Sequence, residues 1–397
     1  MLNNEKEMIT VAFISNYLNH HQLPICLALD KLTGGKFTFV ATTPVPQARL
    51  NLGYHDMNKQ YPFVLTTYDS AENAQLAQAL AVKSDVVIIG SAPDGYITQR
   101  LKQRKLTFRY CERFYKQGLT LKRFPRAAAS AWLHHGRFMR KPIHMLCASA
   151  YTAADCAVFG NYVGRTYKWG YFPQVKQQNV DALLARKRRN SRPVLLWAGR
   201  MLDWKHPEAA IHVAERLKKD GVDFELRIIG NGEMEKQLQT WIRQKNLEDC
   251  VQMLGSMSPE AVRDHMESAD IFLFTSDFNE GWGAVLNESM NSACAVVASH
   301  AIGSAPFLLE DGQNGFIYKN GDENSLYDRV AQLLKQPELR ETLGRNAYQT
   351  LAEKWNADVA AQRFMALSQA LLDGKSDDLF VNGPCSKAKI LKNGWYK

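Results

Sequence analysis

The chain has 397 residues, 46% of them hydrophobic and 22% charged, a length and composition that suit two globular domains with real cores. Seven scattered cysteines without a CxxC pair argue against a disulfide framework or a zinc site and suit a reducing cytoplasm, while the lack of any run of about 18 apolar residues excludes a spanning helix. The net charge of +9 asks for an anionic partner, and it is local: residues 100–141 hold thirteen Lys or Arg against one acid, Glu112.

The start, MLNNEKEMITVAFIS, places Glu5 and Glu7 where a leader would be basic, so no signal peptide is expected. ITVAFIS (9–15) then reads as a buried strand, and Pro24 suits the first turn of a helix. FTFVATT (37–43) and FVLTT (63–67) are strands; residues 71–82 are helical; DVVIIG (85–90), LTFRYC (106–111) and IHMLCAS (143–149) are further strands. Continuous apolar strands between helices imply a parallel sheet covered on both faces. The pattern changes at Lys168, and residues 171–192 read as a linker between a first domain, 1–170, and a second, 193–372.

The second half repeats the alternation. VLLWAGR (194–200) is a strand and Pro207 opens a helix to Lys219. FELRIIG (224–230), VQML (251–254), DIFLFTS (270–276), CAVVAS (294–299) and 316–318 are strands. Ser258-Pro259 reads as an N-cap with Pro at the first helical position, and Trp282 to Asn291 as a helix. Helices fill most of 325–372, and 373–397 reads as a polar tail. Two βα arrays in series give two Rossmann-like, doubly wound domains. Such sheets bind ligands at the carboxyl ends of their strands, and a central cleft between two domains is the default substrate site.

Three features of the second half converge. Gly199-Arg200, with Lys205 five residues on, places two cations between a strand and a helix, which suits a diphosphate. Gly230-Asn231-Gly232-Glu233 follows the next strand, where glycines admit a close backbone approach. Alone, each reads better as an ordinary surface turn. The third, Glu280-Gly281-Trp282-Gly283-Ala284-Val285-Leu286-Asn287-Glu288, sets two glutamates eight residues apart around a Gly-x-Gly turn. Carboxylates there accept hydrogen bonds from sugar or ribose hydroxyls, and open helix N–H groups face an anion.

The order strand-GR-x4-K, GNGE and E-x7-E, with ESMNSACAVVASHAIGSAPFLLEDGQNGFIY after it, resembles the retaining glycosyltransferases of family 4 (group 1), of GT-B fold. The resemblance covers roughly residues 190–350, and the first half only by architecture. It implies that Arg200 and Lys205 neutralise the donor diphosphate, that Glu280 binds the transferred sugar, and that Glu288 binds the ribose. Backbone around Gly230, Asn231, Gly232 and Leu254 would border the base. Gly199, Gly281, Trp282 and Gly283 would line the donor. The chain departs from the family at Asn291-Ser292-Ala293-Cys294-Ala295, in place of Ala-x-Gly-x-Pro, and at Asn19-His20-His21-Gln22, in place of a Gly-rich loop.

The implied reaction moves a sugar from a nucleoside diphosphate, by the resemblance uridine-linked rather than guanosine-linked, to a hydroxyl of a saccharide or lipid-linked saccharide during glycan synthesis, with retention. No Asp-x-Asp occurs, so Arg200 and Lys205 are expected to replace a metal, and no cofactor is expected. On the acceptor side, His20 and His21 are either ligand contacts or surface loop histidines. Glu112 is either an acceptor group or the ion-pair partner of Arg109 or Arg113. The cations of 100–141 alternate with Phe108, Tyr110, Phe114, Tyr115, Phe124, Trp132 and Phe138, a mixture that suits docking on an anionic inner membrane face, and no nucleic-acid motif accompanies it. An epimerase or hydrolase of the same fold, or a scaffold without catalysis, is the alternative. A dinucleotide dehydrogenase fails, because no GxGxxG follows the first strand.

Overall fold

The computed structural model describes residues 8–50 and 55–396, so the acidic start on which the leader argument rests lies outside the described residues. The first unit runs β1 (Val11–Ser15), α1 (Leu23–Leu32), β2 (Phe37–Ala41), α2 (Gln47–Leu50), β3 (Val64–Thr66), α3 (Ala71–Lys83), β4 (Val86–Ile89), α4 (Gly95–Lys102), β5 (Thr107–Cys111), α5 (Phe124–His134), β6 (Ile143–Cys147), α6 (Thr152–Ala157) and β7 (Thr166–Lys168). Its seven strands are all parallel, in the order β3-β2-β1-β4-β5-β6-β7. Strands such as VVII at β4 are buried at every residue, as a sheet covered on both faces requires. Each parallel step needs a crossover, and α1 begins with Pro in its first turn, where no N–H is missed.

The second unit begins inside the expected linker. Its elements are α7 (Val180–Lys187), β8 (Val194–Ala198), α8 (Pro207–Lys219), β9 (Glu225–Ile229), α9 (Glu235–Gln244), β10 (Val251–Gly255), α10 (Pro259–Ser268), β11 (Ile271–Phe274), α11 (Val285–Asn291), β12 (Ala295–Ser299), α12 (Ala305–Leu308), β13 (Phe316–Tyr318), α13 (Glu323–Lys335) and α14 (Pro337–Gln349). Six parallel strands stand in the order β10-β9-β8-β11-β12-β13. The expected cap holds: Ser258 Oγ accepts from the Ala261 N–H at 3.3 Å, ahead of Pro259. The amphipathic helix α8 buries Ala210, Ile211, Val213, Ala214 and Leu217 against the sheet.

Three boundaries differ from the sequence reading. The chain passes from the first unit to the second between Gln174 and Val175, and α7 is part of the second unit rather than a linker. Leu183 and Leu184 pack with Ala293 and Tyr348, and Lys187 Nζ bonds the Met266 carbonyl at 3.2 Å. The last helix, α15 (Ala357–Leu372), belongs to the first unit, packing on α1 with Phe364 against Phe108 and Trp169. The polar tail is bonded in place: Cys385 N–H donates to the Lys168 carbonyl at 2.8 Å and Lys168 N–H to the Ser386 carbonyl at 2.7 Å, which adds an antiparallel edge to β7. No helix among the described residues is long and apolar enough to cross a membrane.

Candidate active site

In each sheet the strand order reverses direction once, between β1 and β4 and between β8 and β11. That reversal opens a crevice at the carboxyl ends of the strands. In the second unit, the loops after β8, β9 and β11 meet there. Gly230 has φ +131, and a Cβ on it would lie 1.9 Å from the Gly199 carbonyl oxygen. Gly232, at φ +155, would clash with the Met201 carbonyl oxygen at 2.5 Å. The two loops are zipped by Met201 N–H to the Asn231 carbonyl at 2.7 Å and Gly199 N–H to the Ile229 carbonyl at 3.0 Å. The glycines of GNG therefore serve first to let one backbone lie on another. The exposed side chain of Arg200 projects from this paired turn and makes no hydrogen bond or ion pair to any described residue.

Lys205 and Glu280 meet directly, with Nζ 2.6 Å from Glu280 Oε2 and both side chains mostly buried. Ser276 Oγ donates to the same oxygen at 3.0 Å. With Oε2 so occupied, Oε1 makes no hydrogen bond to a described residue and is left to accept from a ligand. Lys205 also lies over the Trp204 ring, 4.7 Å from its centroid. Its backbone is braced from the sheet: Trp197 Nε1 donates to Thr275 Oγ1 at 2.9 Å, and Thr275 Oγ1 donates to the Lys205 carbonyl at 2.7 Å. Gly283 sits at φ +83, where a Cβ would lie 2.5 Å from the Phe274 ring and 3.1 Å from Glu280 Cγ, so this glycine frees the space the carboxylate needs.

The second glutamate differs from expectation. α11 starts at Val285, so Glu288 stands in its first turn rather than about two turns in, while Glu280 lies in the loop after β11, as expected. Glu288 is half-buried and its carboxylate has no hydrogen bond to a described residue. Burial pushes its carboxyl up, with Arg263 opposing. Trp282 is also corrected: its indole is fully buried, donates from Nε1 to Asn287 Oδ1 at 2.9 Å and packs near Phe307 and Trp355, so its side chain anchors the loop and leaves only backbone to face a ligand. Gly281 is buried beside it, Asn231 is exposed, and Leu254 is half-buried near the end of edge strand β10.

The first unit carries its own crevice, a cavity of about 510 Å³ at the ends of β1, β4 and β5. Ser15, Asn16, Gly90 and Ser91 form its floor, and Tyr17, Tyr110, Phe114 and Tyr171 give it aromatic walls. Glu112 lines it, accepting from the Tyr171 hydroxyl at 2.5 Å and from Lys116 Nζ at 2.8 Å. Neither expected arginine is its partner: Arg109 pairs with Asp94 at 2.7 Å and Arg113 with Asp155 at 3.4 Å. Asp94 also takes His134 Nδ1 at 2.8 Å. Burial pushes the Asp94 carboxyl up, but the Arg109 charge and the hydrogen bonds from Arg109 and His134 outweigh it and hold the group below the ordinary carboxylate range. The neighbouring His135 is pushed down to about 3 by burial and then by Arg109, so it is neutral. His20 and His21 are half-buried; His21 stacks on Tyr171 with centroids 5.5 Å apart, and His20 lines a smaller pocket with Val45, His55 and Met57. The structure thus brings His21 and Glu112 to one residue, Tyr171, the imidazole on its ring and the carboxylate on its hydroxyl.

Comparison with known proteins bears on the second unit. Residues 182–350 match the family model of glycosyl transferases, group 1. The alpha-D-kanosaminyltransferase of Streptomyces kanamyceticus is 29% identical over 198 residues, 49% of this chain and 51% of that protein. An amylovoran biosynthesis glycosyltransferase of Erwinia amylovora is 35% identical over 137 residues, 33% of each chain. The chain spans about half the length, or less, of these curated relatives. Among solved structures, the Anabaena protein HepE in complex with UDP superposes with a TM-score of 0.68 at 16% identity, over 91% of this chain and all of that one. The sucrose-phosphate synthase of Thermosynechococcus elongatus gives 0.64 at 15% identity, over 92% of this chain and all of that one. With two parallel α/β units, these neighbours establish the GT-B fold, and the match supports the group 1 family. Neither the brace Ser276-Thr275-Trp197 nor the Asp94-Arg109-His134 group was anticipated. The first adjoins the strand ends already singled out, whereas the second has no local motif.

Proposed function

We propose that this chain is a glycosyltransferase that moves a sugar from a nucleoside diphosphate sugar to a hydroxyl of a saccharide acceptor, in surface polysaccharide or related glycan synthesis. The observation that carries the reading is the Lys205–Glu280 pair, five residues on from Arg200, whose exposed side chain pairs with no described residue, inside the region that matches the group 1 model. As the sugar departs, charge builds on the β-phosphate oxygen. Fixed cations stabilise it without reorganising, and each such donor is typically worth about 3–4 kcal/mol of barrier. Lys205 keeps ammonium protons for phosphate while Glu280 holds the sugar through Oε1. Glu288 accepts from the ribose. Arg200 and Lys205 stand where a metal would otherwise neutralise charge, so turnover without a metal is part of the proposal.

Retention and a uridine donor rest on the family resemblance, the latter supported by the UDP bound to HepE. The acceptor is assigned to the first unit, whose cavity offers hydroxyls, amides and rings suited to a sugar. A lipid-linked acceptor fits the surface of α5 and the loop before it. Leu121 is 93% exposed and Trp132 65%, with Phe124 and Leu133 also exposed among Lys122, Arg123 and Arg126. That surface would sit peripherally on an anionic inner membrane face; lack of binding to anionic vesicles at low salt would remove this part. The decisive experiment is metal-free calorimetry of UDP, GDP and ADP against the wild type and an Arg200→Ala, Lys205→Ala double variant. Binding of UDP that the variant loses is expected; equal binding by both proteins would overturn the donor site. An epimerase or hydrolase would instead release product without an acceptor.

A further inference from the structure

After α15 and the segment to Leu391 have run with the first unit, the last described residues return to the second. There the Asn393 carbonyl accepts from His300 Nε2 at 3.1 Å, and His300 Nδ1 accepts from the Asn320 N–H at 2.9 Å. An imidazole that donates from one nitrogen and accepts at the other is neutral and fixed in tautomer and orientation. Tyr396 stacks on that ring at 5.7 Å and 26°, and Trp395 meets it edge-on at 6.2 Å and 63°. The Tyr396 hydroxyl donates to the Ile317 carbonyl at 2.6 Å, which ties the segment to β13.

His300 directly follows β12, and its ring meets that of Phe278 edge-on at 5.4 Å and 89°. Phe278 stands two residues before Glu280, in the irregular loop between β11 and α11. That loop has few regular hydrogen bonds: Asp277 N–H donates to the Trp204 carbonyl at 3.0 Å, Glu280 N–H to the Asp277 carbonyl at 3.1 Å, and Asn279 bonds the Asp277 carboxylate. A contiguous stack therefore runs from Trp395 and Tyr396 through His300 and Phe278 to the loop that carries Glu280. We propose that Trp395 and Tyr396 are positioning residues for the donor site: they clamp His300, His300 fixes Phe278, and the loop presents Glu280 to Lys205. The effect on donor binding rests on the glycosyltransferase reading; the clasp itself rests on geometry alone.

The test compares the full chain with a Trp395→Ala, Tyr396→Ala double variant and with a Trp395→Phe, Tyr396→Phe double variant. Amide hydrogen exchange across residues 276–284 and UDP calorimetry are read together. The alanine variant exchanges faster in that loop at an unchanged melting temperature, and binds UDP about 3- to 10-fold more weakly, the worth of an aromatic contact. The phenylalanine variant, which keeps an aromatic ring at each position while losing the Tyr396 hydroxyl, restores both readouts, because the ring contacts with His300 and not the hydroxyl carry the clasp. Unchanged exchange in the alanine variant overturns the proposal, as does an equal loss in both variants. If the wild type binds no UDP, the donor reading fails, and the exchange result alone still decides the clasp.

Discussion

The two units share one strand pattern and place a crevice at the same topological point, yet furnish it oppositely. In the first unit the charges facing the crevice are closed among themselves: Arg109, His134 and Arg137 surround Asp94, and Lys116 with Tyr171 satisfies Glu112. In the second, Arg200 pairs with no described residue and Lys205 and Glu280 satisfy each other only in part. A crevice with internally balanced charge and aromatic walls favours an uncharged polyol, whereas one with spare cation favours phosphate. On the proposed reading, the same fold would separate acceptor from donor chemistry by how completely its ion pairs are closed.

The sharpest way to break this comparison is to remove one member of a pair in each unit. Lys205→Ala is expected to lower kcat about 100- to 1000-fold, a loss of about 3–4 kcal/mol in transition-state stabilisation, and to cost about 1–2 kcal/mol of stability, because Glu280 keeps only the bond from Ser276 Oγ. Asp94→Ala should shift the balance the other way. It strands the buried Arg109, at 9% side-chain exposure, and should cost about 3 kcal/mol of stability by denaturant titration, while UDP affinity stays within about threefold. If Asp94→Ala abolished UDP binding at unchanged stability, the division of labour would be wrong.

Next comes Gly230→Ala, which tests whether the glycine loop serves backbone packing. The added Cβ has no room against the Gly199 carbonyl, and both partners are backbone. A destabilisation of about 2 kcal/mol is expected, together with weaker UDP binding, because Arg200 is carried on the displaced turn. An unperturbed variant would return the motif to an ordinary turn.

A smaller effect separates stability from function at Glu288. Its carboxyl is raised above 4.5 by burial, so the folded state holds the proton more tightly than the unfolded chain. Stability associated with the protonated form is therefore present below 4.5 and is lost as pH rises through the raised value. Glu288→Gln should remove that loss, raising stability at neutral pH by up to about 1 kcal/mol while weakening UDP binding. Thermal melts from pH 4 to 8 check the sign: a wild type and variant that run parallel would deny the buried charge.

How much of this was legible follows from where each site is encoded. The loops of the proposed donor site were readable because each motif occupies one βα connection: GR-x4-K after β8, GNGE after β9, and E-x7-E spanning the turn into α11. What the spacing did not show was that Trp282 points into the core, or that α11 begins three residues late, after Gly283 has turned the chain at φ +83. The first-unit cavity had no such signal, since Asp94 and His134 are 40 residues apart and meet only once the sheet is assembled. Helix α15 was recognised as helical, but an amphipathic pattern does not say which of two similar sheets it covers.

The last and smallest effect concerns the departure at 291–295. Ala293, where the family pattern has glycine, adopts φ +53, a left-handed conformation that a Cβ disfavours by roughly 1–2 kcal/mol. It is also almost fully buried, packed with Leu183, Leu184 and Tyr348, so its methyl is worth about 0.8 kcal/mol of burial. Glycine would relieve the strain, lose the methyl, and add about 0.4–1 kcal/mol of unfolded-chain entropy. These terms nearly cancel, so Ala293→Gly should change stability by less than about 1 kcal/mol, whereas Ala293→Val, branched at Cβ, should cost about 2 kcal/mol or more. Urea titration of the pair checks this. A glycine variant destabilised as much as the valine one would mean that the methyl's packing with α7, and not the backbone conformation, sets what this position tolerates.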